Sequence, residues 1–349
     1  MAGRDDLVEP YLNALEQELA QLGTPRPVDT LFFGGGTPTR LRGSALRRLL
    51  GMAQHWLPPA AGAEISIEAN PADVDAECLE ILVEQGVTRI SLGGQSFDAA
   101  KLKLLERDHS PDELEQAIER SLGYLPQVSV DLIFGVPGET PDVWRRDLAR
   151  AVALAPQHVS TYGLTFERGT AFWSRLTKGQ LNRADEELER TLYETAIDTL
   201  AASGYEHYEI SNFARPGNAC RHNQTYWAGD GYYAFGPGAA RYVDGRREIN
   251  HRSTTTWLKR IAAGQSPVAE SETLGAEERA RELLVFSLWR LGGVNHSEFY
   301  ERTGFEIAQL VGTHLRDFVE RGLLIDEPTR LRLSRAGLLV SDSIWPYLL

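Results

Sequence analysis

Between Val28 and about Thr165, short apolar runs alternate with amphipathic stretches, and that alternation confines the segment to parallel β/α units. The apolar runs read LFF, ISIEAN, RISLGGQSF, VSVDLIFGVPG and HVSTYGLTF. Ser44 to Trp56, Asp73 to Gln85, Asp112 to Leu122 and Thr140 to Leu154 lie between them and repeat Leu, Ile, Val and Ala at helical spacing. Each predicted helix closes a crossover between parallel strands. Polar residues stand near the carboxyl ends of the runs: Thr37, Glu68, Asn70, Gln95, Asp131 and Thr165. Parallel α/β folds bind ligands at that edge, whether the sheet is open or closed.

The first strand runs directly into Gly34, Gly35 and Gly36, followed by Thr37 and Pro38. Residues without Cβ bring bare N–H groups against a polar ligand, and Thr37 adds a hydroxyl. No Gly-Lys-Ser/Thr follows, which excludes a P-loop, and Pro38 falls where the helix of a dinucleotide-binding turn would begin. These residues alone leave the ligand class open, and a plain tight turn after a core strand remains an alternative.

Tyr11 to Leu22 predict an amphipathic helix ahead of the first visible strand. Beyond Phe166 the pattern changes to one long helix over Asp185 to Ser203, then YEHYEISNF and a loop rich in Gly, Asn, Tyr and Trp. The charged helical tail ends in two short strands, Leu323 to Ile325 and Leu331 to Leu333, and a further helix, a winged-helix-like order. The expected divisions are 1–210 for the β/α unit, 211–270 for the Gly- and aromatic-rich segment, and 271–349 for the C-terminal helical, winged-helix-like domain.

A formal charge of −13 and a pI near 5.2 argue against a broad nucleic-acid surface, so no nucleic-acid partner is expected. No apolar run approaches the roughly 18 residues of a membrane span, and the N-terminus has no signal core; a cytoplasmic protein is expected. Cys78 and Cys220 are the only cysteines, too few for a disulfide framework or a four-cysteine zinc site.

Six motifs, FGGGTP, EANP, SLGGQSF, RDHS, VDLIFGVPGET and YEISNFARPGNACRHNQTYW, occur in this order. Together they resemble the oxygen-independent coproporphyrinogen oxidase-like branch of radical S-adenosylmethionine proteins, and the last motif is most similar to that of the branch's heme chaperones. The resemblance implies an α/β fold: a partial parallel (β/α)6-type radical SAM barrel, expected to lack its first strand, with a smaller C-terminal winged-helix-like domain. It implies that Gly35, Gly36, Thr37, Glu68, Gln95, Arg107, Asp131 and Thr165 hold S-adenosylmethionine. Carboxylates suit a sulfonium, an ammonium and ribose hydroxyls, and Arg107 can grip a carboxylate with two parallel bonds.

The chain departs from the family in its cluster motif. Family members carry C-x3-C-x2-C ahead of the segment matching the N-terminal helix, and those thiolates bind a 4Fe-4S cluster. This chain has none of the three. The resemblance therefore implies either that Met1 is an internal start or that the chain is a cluster-free descendant. It also leaves Leu31 to Phe33 as a sheet edge, which predicts association into a dimer.

The distal motif implies heme. His222 is the candidate iron ligand, with Tyr226 and Trp227, and beside them Tyr232 and Tyr233, packing on the macrocycle. Cys220 is a weaker candidate, more naturally an inert buried thiol. Where the family continues GPGAH, this chain has Ala240 at the last position. Heme and heme-acceptor proteins, membrane-associated acceptors among them, are the implied partners. A coproporphyrinogen-decarboxylating radical enzyme and a cluster-free binding scaffold are the alternatives. His109 is expected to cap a helix and orient Arg107.

Overall fold

The computed structural model describes residues 5–167 and 170–349. Helix α1 (Val8–Ala20) precedes β1 (Val28–Phe33), α2 (Gly43–Trp56), β2 (Pro59–Ala69), α3 (Ala76–Glu84), β3 (Arg89–Gln95), α4 (Ala99–Leu104), α5 (Pro111–Tyr124), β4 (Gln127–Phe134), α6 (Pro141–Leu154) and β5 (His158–Gly163). Side-chain caps start several of these helices. Asp75 accepts from the Cys78 amide, Asp98 from Ala100 and Lys101, and Ser110 forms a reciprocal capping box with Glu113. His109, expected as a cap, instead places Nε2 3.0 Å from the Gly94 carbonyl.

Strands β1 to β5 are parallel and adjacent in sequence order. The long helix α8 (Glu186–Ala202) follows α7 (Ala171–Thr177). The sheet then closes on β7 (Asn212–Ala214), antiparallel to β5, with β6 (Glu206–Glu209) outside it. The sheet thus runs through Ala214, past the division expected at 210. Among the described residues β1 pairs on one side only, so it forms an edge, as expected.

Residues alternate across the strands with a period of two. Ile65 and Ile67, Ile90 and Leu92, Val128 and Val130, and Val159 face the helical layer and join Leu50, Leu79, Ile118, Leu148 and Leu192 in the main core. The intervening positions are polar: Ser66 and Glu68, Arg89 and Ser91, Ser129 and Asp131, His158 and Ser160. A parallel sheet covered by helices on both faces reads as a continuous apolar run. Here the second face of the curled sheet lines a polar interior, which is where a ligand can sit.

Helix α9 (Arg221–Trp227) leads to β8 (Ala240–Val243), β9 (Arg246–Asn250), α10 (Thr254–Ala262) and β10 (Val268–Thr273), the three strands forming a separate antiparallel sheet. Helix α1 belongs with this region. The carboxylate of Glu18, 1% exposed, accepts from the Gly236 amide at 2.9 Å, Asn250 Nδ2 at 2.7 Å and Trp257 Nε1 at 3.0 Å. The amphipathic helix at the start therefore ties the glycine-rich distal segment to the barrel.

The remaining elements are α11 (Ala276–Trp289), β11 (Val294–Asn295), α12 (His296–Thr303), α13 (Ile307–Val311), α14 (Thr313–Glu320), β12 (Leu324–Glu327), β13 (Arg330–Leu333), α15 (Arg335–Leu339) and α16 (Ser341–Leu348). A three-stranded sheet, β11–β13–β12, packs with these helices around a second core of Leu284, Leu288, Phe299, Phe318 and Leu331. This is the winged-helix-like order of the tail. Tyr193 and Ile197 of α8 touch both cores. Among the described residues no helix is long and apolar enough to cross a membrane.

Candidate functional site: barrel mouth, barrel floor and aromatic groove

At the carboxyl edge of the sheet, the glycine run turns sharply. Gly35 (φ 91°) and Thr37 (φ 55°) are left-handed. The Gly35 N–H donates to Glu68 Oε2 at 2.9 Å. A Cβ on Gly34 would lie 2.4 Å from Phe32 and 3.0 Å from the Glu68 carboxyl carbon, whereas the space around Gly35 and Gly36 is open. The turn is thus packed against the sheet on one side and free on the other, the geometry of a cradle.

Glu68 and Asp131 lie close enough that the Glu68 charge raises the Asp131 pKa. Burial is the main cause, and together they push Asp131 up to about 6, although Ser160 and Ser91 donate to it. Burial also raises Glu68, against the Gly35 amide. Among the described residues, neither carboxylate has a basic partner. Gln95 is buried in the left-handed region at φ 63°, beyond a register shift in β3.

The loop carrying Arg107 returns to the same edge. Asp108 accepts from Asn70 at 2.9 Å and from Arg40 at 3.1 Å, joining RDHS to EANP and to the glycine turn. Arg107 is exposed there. Thr165 is exposed, two residues beyond the end of β5, and its hydroxyl donates to the Gly163 carbonyl at 3.4 Å.

The floor of the barrel is built around Glu64. Its carboxylate accepts from Arg89 Nε at 3.1 Å and from the Arg221 and His222 amides at 3.2 and 3.1 Å, and the Cys220 thiol donates at 3.4 Å. These contacts fix the first turn of α9 inside the sheet. His222 therefore sits in the interior, its ring stacked on Phe32 with centroids 5.0 Å apart. Nδ1 is 2.9 Å from Thr30 Oγ1, and Nε2 is 2.8 Å from the Tyr226 hydroxyl. Burial lowers its pKa to about 4, so the ring is neutral at pH 7. Both nitrogens are engaged, and ligation of iron requires one of these bonds to break.

Tyr226 and Trp227 face different surroundings. Tyr226 meets His222 and, edge to face at 4.7 Å, Tyr232. Trp227 packs on Trp289 and Phe286 of α11 with centroids 4.5 and 6.3 Å apart. The two residues line a cavity of about 390 Å³ between α9, the β8–β9 hairpin and α11. Tyr233 is exposed. Sequence reasoning read the tail that contains α11 as helical but did not bring it, Tyr242 or the arginines to this cavity. The only local signal is Arg279, Leu283 and Phe286 at helical spacing on one face of α11.

Profiles of known families match the two ends of the chain: the Radical SAM superfamily over residues 2–151 and the HemN C-terminal domain over residues 274–340. The chain is similar to the Bacillus subtilis protein named heme chaperone HemW, with 35% identity covering 97% of this chain and 90% of the relative. A Mycobacterium tuberculosis protein of the same name is 36% identical over 96% of this chain and 85% of its own length. The chain belongs to the HemW family. A zebrafish mitochondrial protein, radical S-adenosyl methionine domain-containing protein 1, is 31% identical over 99% of this chain and 80% of the relative. The fold is that of Escherichia coli coproporphyrinogen III oxidase (HemN), with a TM-score of 0.87 at 21% identity over 100% of this chain and 85% of that one.

The superfamily name implies S-adenosylmethionine and an iron–sulfur cluster. The open cradle at Gly35 and Gly36 and the unpaired carboxylates Glu68 and Asp131 fit a sulfonium ligand. The cysteines do not fit a cluster. Cys78 is buried in α3 within the main core, and burial pushes its thiol up to about 11. Cys220 is buried on the barrel floor against Glu64, pushed up to about 12 by burial and by that carboxylate. Among the described residues, no group of three His, Cys, Asp or Glu could hold a metal ion.

Proposed function

We propose that this chain is a HemW-type heme carrier that binds heme and hands it to acceptor proteins, membrane-associated ones included, in the cytoplasm. The observation that carries the reading is similarity along nearly the whole chain to several proteins named heme chaperone HemW. The chemistry of α9 supports it, since one short helix supplies an imidazole and two large aromatic rings. On this reading His222 is the iron ligand, its imidazole released from Thr30 or Tyr226. Titrating the purified chain with heme under reducing conditions is expected to give a saturable Soret shift, weakened in His222→Ala. A wild-type chain that leaves the Soret band unmoved would overturn the proposal.

S-adenosylmethionine binds at the mouth on this proposal, with Gly35, Gly36 and Thr37 around its methionyl end and Glu68, Gln95, Arg107, Asp131 and Thr165 around the rest. When bound with a cluster it supplies radical chemistry, and the residues of this chain orient it. A raised carboxyl pKa means that the site acquires negative charge as pH rises, so a cation binds more tightly above that pKa than below it. With Asp131 at about 6, calorimetry is expected to show affinity for S-adenosylmethionine falling up to about tenfold between pH 7 and pH 5. Asp131→Asn should flatten that dependence, and a wild-type affinity that ignores pH would count against this role.

The fold shared with coproporphyrinogen III oxidase favours a second reading, oxidative decarboxylation of a porphyrinogen. It requires a 4Fe-4S cluster, which the described cysteines do not fit. Product formation from coproporphyrinogen with reductant and S-adenosylmethionine distinguishes the two.

A further inference from the structure

We propose that Glu209 and Asn212 form a proton-operated latch between the barrel and the C-terminal domain. Protonated, the Glu209 carboxyl closes a two-bond ring with the Asn212 amide; release of that proton to solvent loosens the hairpin tip that holds the tail. The hairpin is β6–β7. Glu209 and Asn212 stand opposite one another in its register, with Ile210 and Ser211 between them, so their side chains share a face.

The barrel and the tail meet at this tip. On the barrel side, the Ser211 carbonyl accepts from the Thr161 amide of β5 at 2.8 Å, and the Ile210 carbonyl accepts from the Tyr193 hydroxyl of α8. On the tail side, the Ile210 amide donates to the Trp289 carbonyl at 3.2 Å and the Leu291 amide to the Tyr208 carbonyl at 3.1 Å. Glu209 forms an antiparallel bridge with Arg290 between them. The segment leaving α11 is therefore held to β6 by main-chain bonds, with Glu209 at their centre.

Two oxygens at this junction lack donors. Glu209 is 2% and Asn212 3% exposed. Glu209 Oε1 and Asn212 Oδ1 are buried without partners, although the Asn212 side chain and the Ser211 amide already bond the Glu209 carboxyl. Two acceptors cannot bond each other. One proton on Oε1 donates to Oδ1 and satisfies both, completing the paired O–H···O and N–H···O bonds of a carboxylic acid with a carboxamide. Burial pushes Glu209 up to about 7 against the bonds from Ser211 and Asn212, so that proton is exchanged near neutrality.

The groups around Glu209 leave its charge unanswered. Tyr162 of β5, Tyr193 of α8 and Tyr208 of β6 feel that charge, and burial raises all three hydroxyls, which stay neutral. Arg290 meets Glu209 through its backbone, and its side chain lines a pocket with Glu298, Arg302 and Arg330. Asp131 lies in the same cross-strand row, three strands away, and titrates lower, at about 6. His207, stacked on Phe213, is 3.1 Å from the Ile210 carbonyl through Nε2, and burial lowers it to about 4.

Opening the junction to water returns Glu209 to an ordinary carboxyl near about 4.3. The closed junction then keeps a proton that the open one has lost, so closure weakens as pH rises from that value through about 7. A released His207 would act in the opposite sense, since its pKa is depressed in the closed form. Glu209→Gln separates the two. Its amide keeps both bonds of the ring at every pH, and all other titrating groups are common to variant and wild type.

Hydrogen exchange of the full chain, followed by mass spectrometry and corrected for intrinsic rates, reads protection in segments 206–214 and 287–293. The ratio of protection in Glu209→Gln to that in wild type is expected to grow about tenfold or more between pH 5 and pH 8. Asn212→Asp is the second variant and decides alone if the first does not fold. It shares a proton with Glu209 at pH 5 but sets two carboxylates together at pH 8, where its protection should fall about tenfold below wild type. A ratio constant with pH, or an Asn212→Asp chain as protected as wild type at pH 8, would overturn the latch. Neither heme nor S-adenosylmethionine is added, so the outcome is independent of the carrier reading.

Discussion

Lys101→Met is expected to lower the unfolding free energy by about 3–5 kcal/mol, the range for removing one partner of a buried ion pair. The Lys101 ammonium lies 2.5 Å from Glu139 Oε1 and 3.0 Å from Asp147 Oδ2, and all three side chains are almost wholly buried. Asp147 also accepts from Ser96 Oγ and the Phe97 amide at 2.7 Å each, and Glu139 accepts from the Val136 amide at 3.1 Å. The cluster therefore locks the loops after β3 and β4, at the edge that carries the glycine turn. Methionine fills the space but leaves two carboxylates facing one another without a cation. Burial, the largest influence, already raises Glu139 even with Lys101 opposing it. Urea melts measure the effect. Since replacing a whole buried ionic cluster is often neutral, a triple variant with Glu139→Gln and Asp147→Asn should recover part of the loss. A single variant within about 1 kcal/mol of wild type would show that water reaches these charges.

Glu64→Ala is expected to cost a similar amount, about 3–5 kcal/mol, and to release α9. It strands Arg89, whose side chain is 4% exposed, and removes the acceptor of the Arg221 and His222 amides. Glu64→Gln keeps an acceptor for those amides and should lose less. Desolvation alone would raise the Glu64 pKa, but Arg89 and the donors from His222, Arg221 and Cys220 more than offset it and the net shift is downward. A carboxyl depressed in the folded state contributes stability above its unfolded pKa, about 4.3, and that stability is lost as pH falls through the folded pKa. The gap between wild type and Glu64→Ala should therefore narrow in acid. A gap that is constant from pH 7 to pH 3 would exclude the ion pair as the source.

The motifs read from the sequence meet in space. Asp108 bonds Asn70 and Arg40, and Gly35 bonds Glu68, so three separated segments share one rim. Strand ends were legible because a parallel sheet places every carboxyl end on the same edge. Thr165 illustrates the limit of that logic. It lies beyond the end of β5, where register no longer dictates position. His109 shows another limit, since a histidine before a helix can cap it or reach across to a neighbouring strand, and only packing chooses.

What the sequence determined by itself is local and periodic: five alternating strands and their crossovers, the glycine turn, the winged tail and the polar residues near the strands' carboxyl ends. These follow from backbone preferences and the period of the apolar pattern, which act over a few residues. The tertiary structure decided what depends on distant partners. It placed His222 between Thr30 and Tyr226, turned Trp227 away from it toward Trp289, and brought Arg302 and Leu283 beside α9. No local pattern encodes those meetings, because burial, charge and hydrogen-bond satisfaction are settled across the whole fold at once.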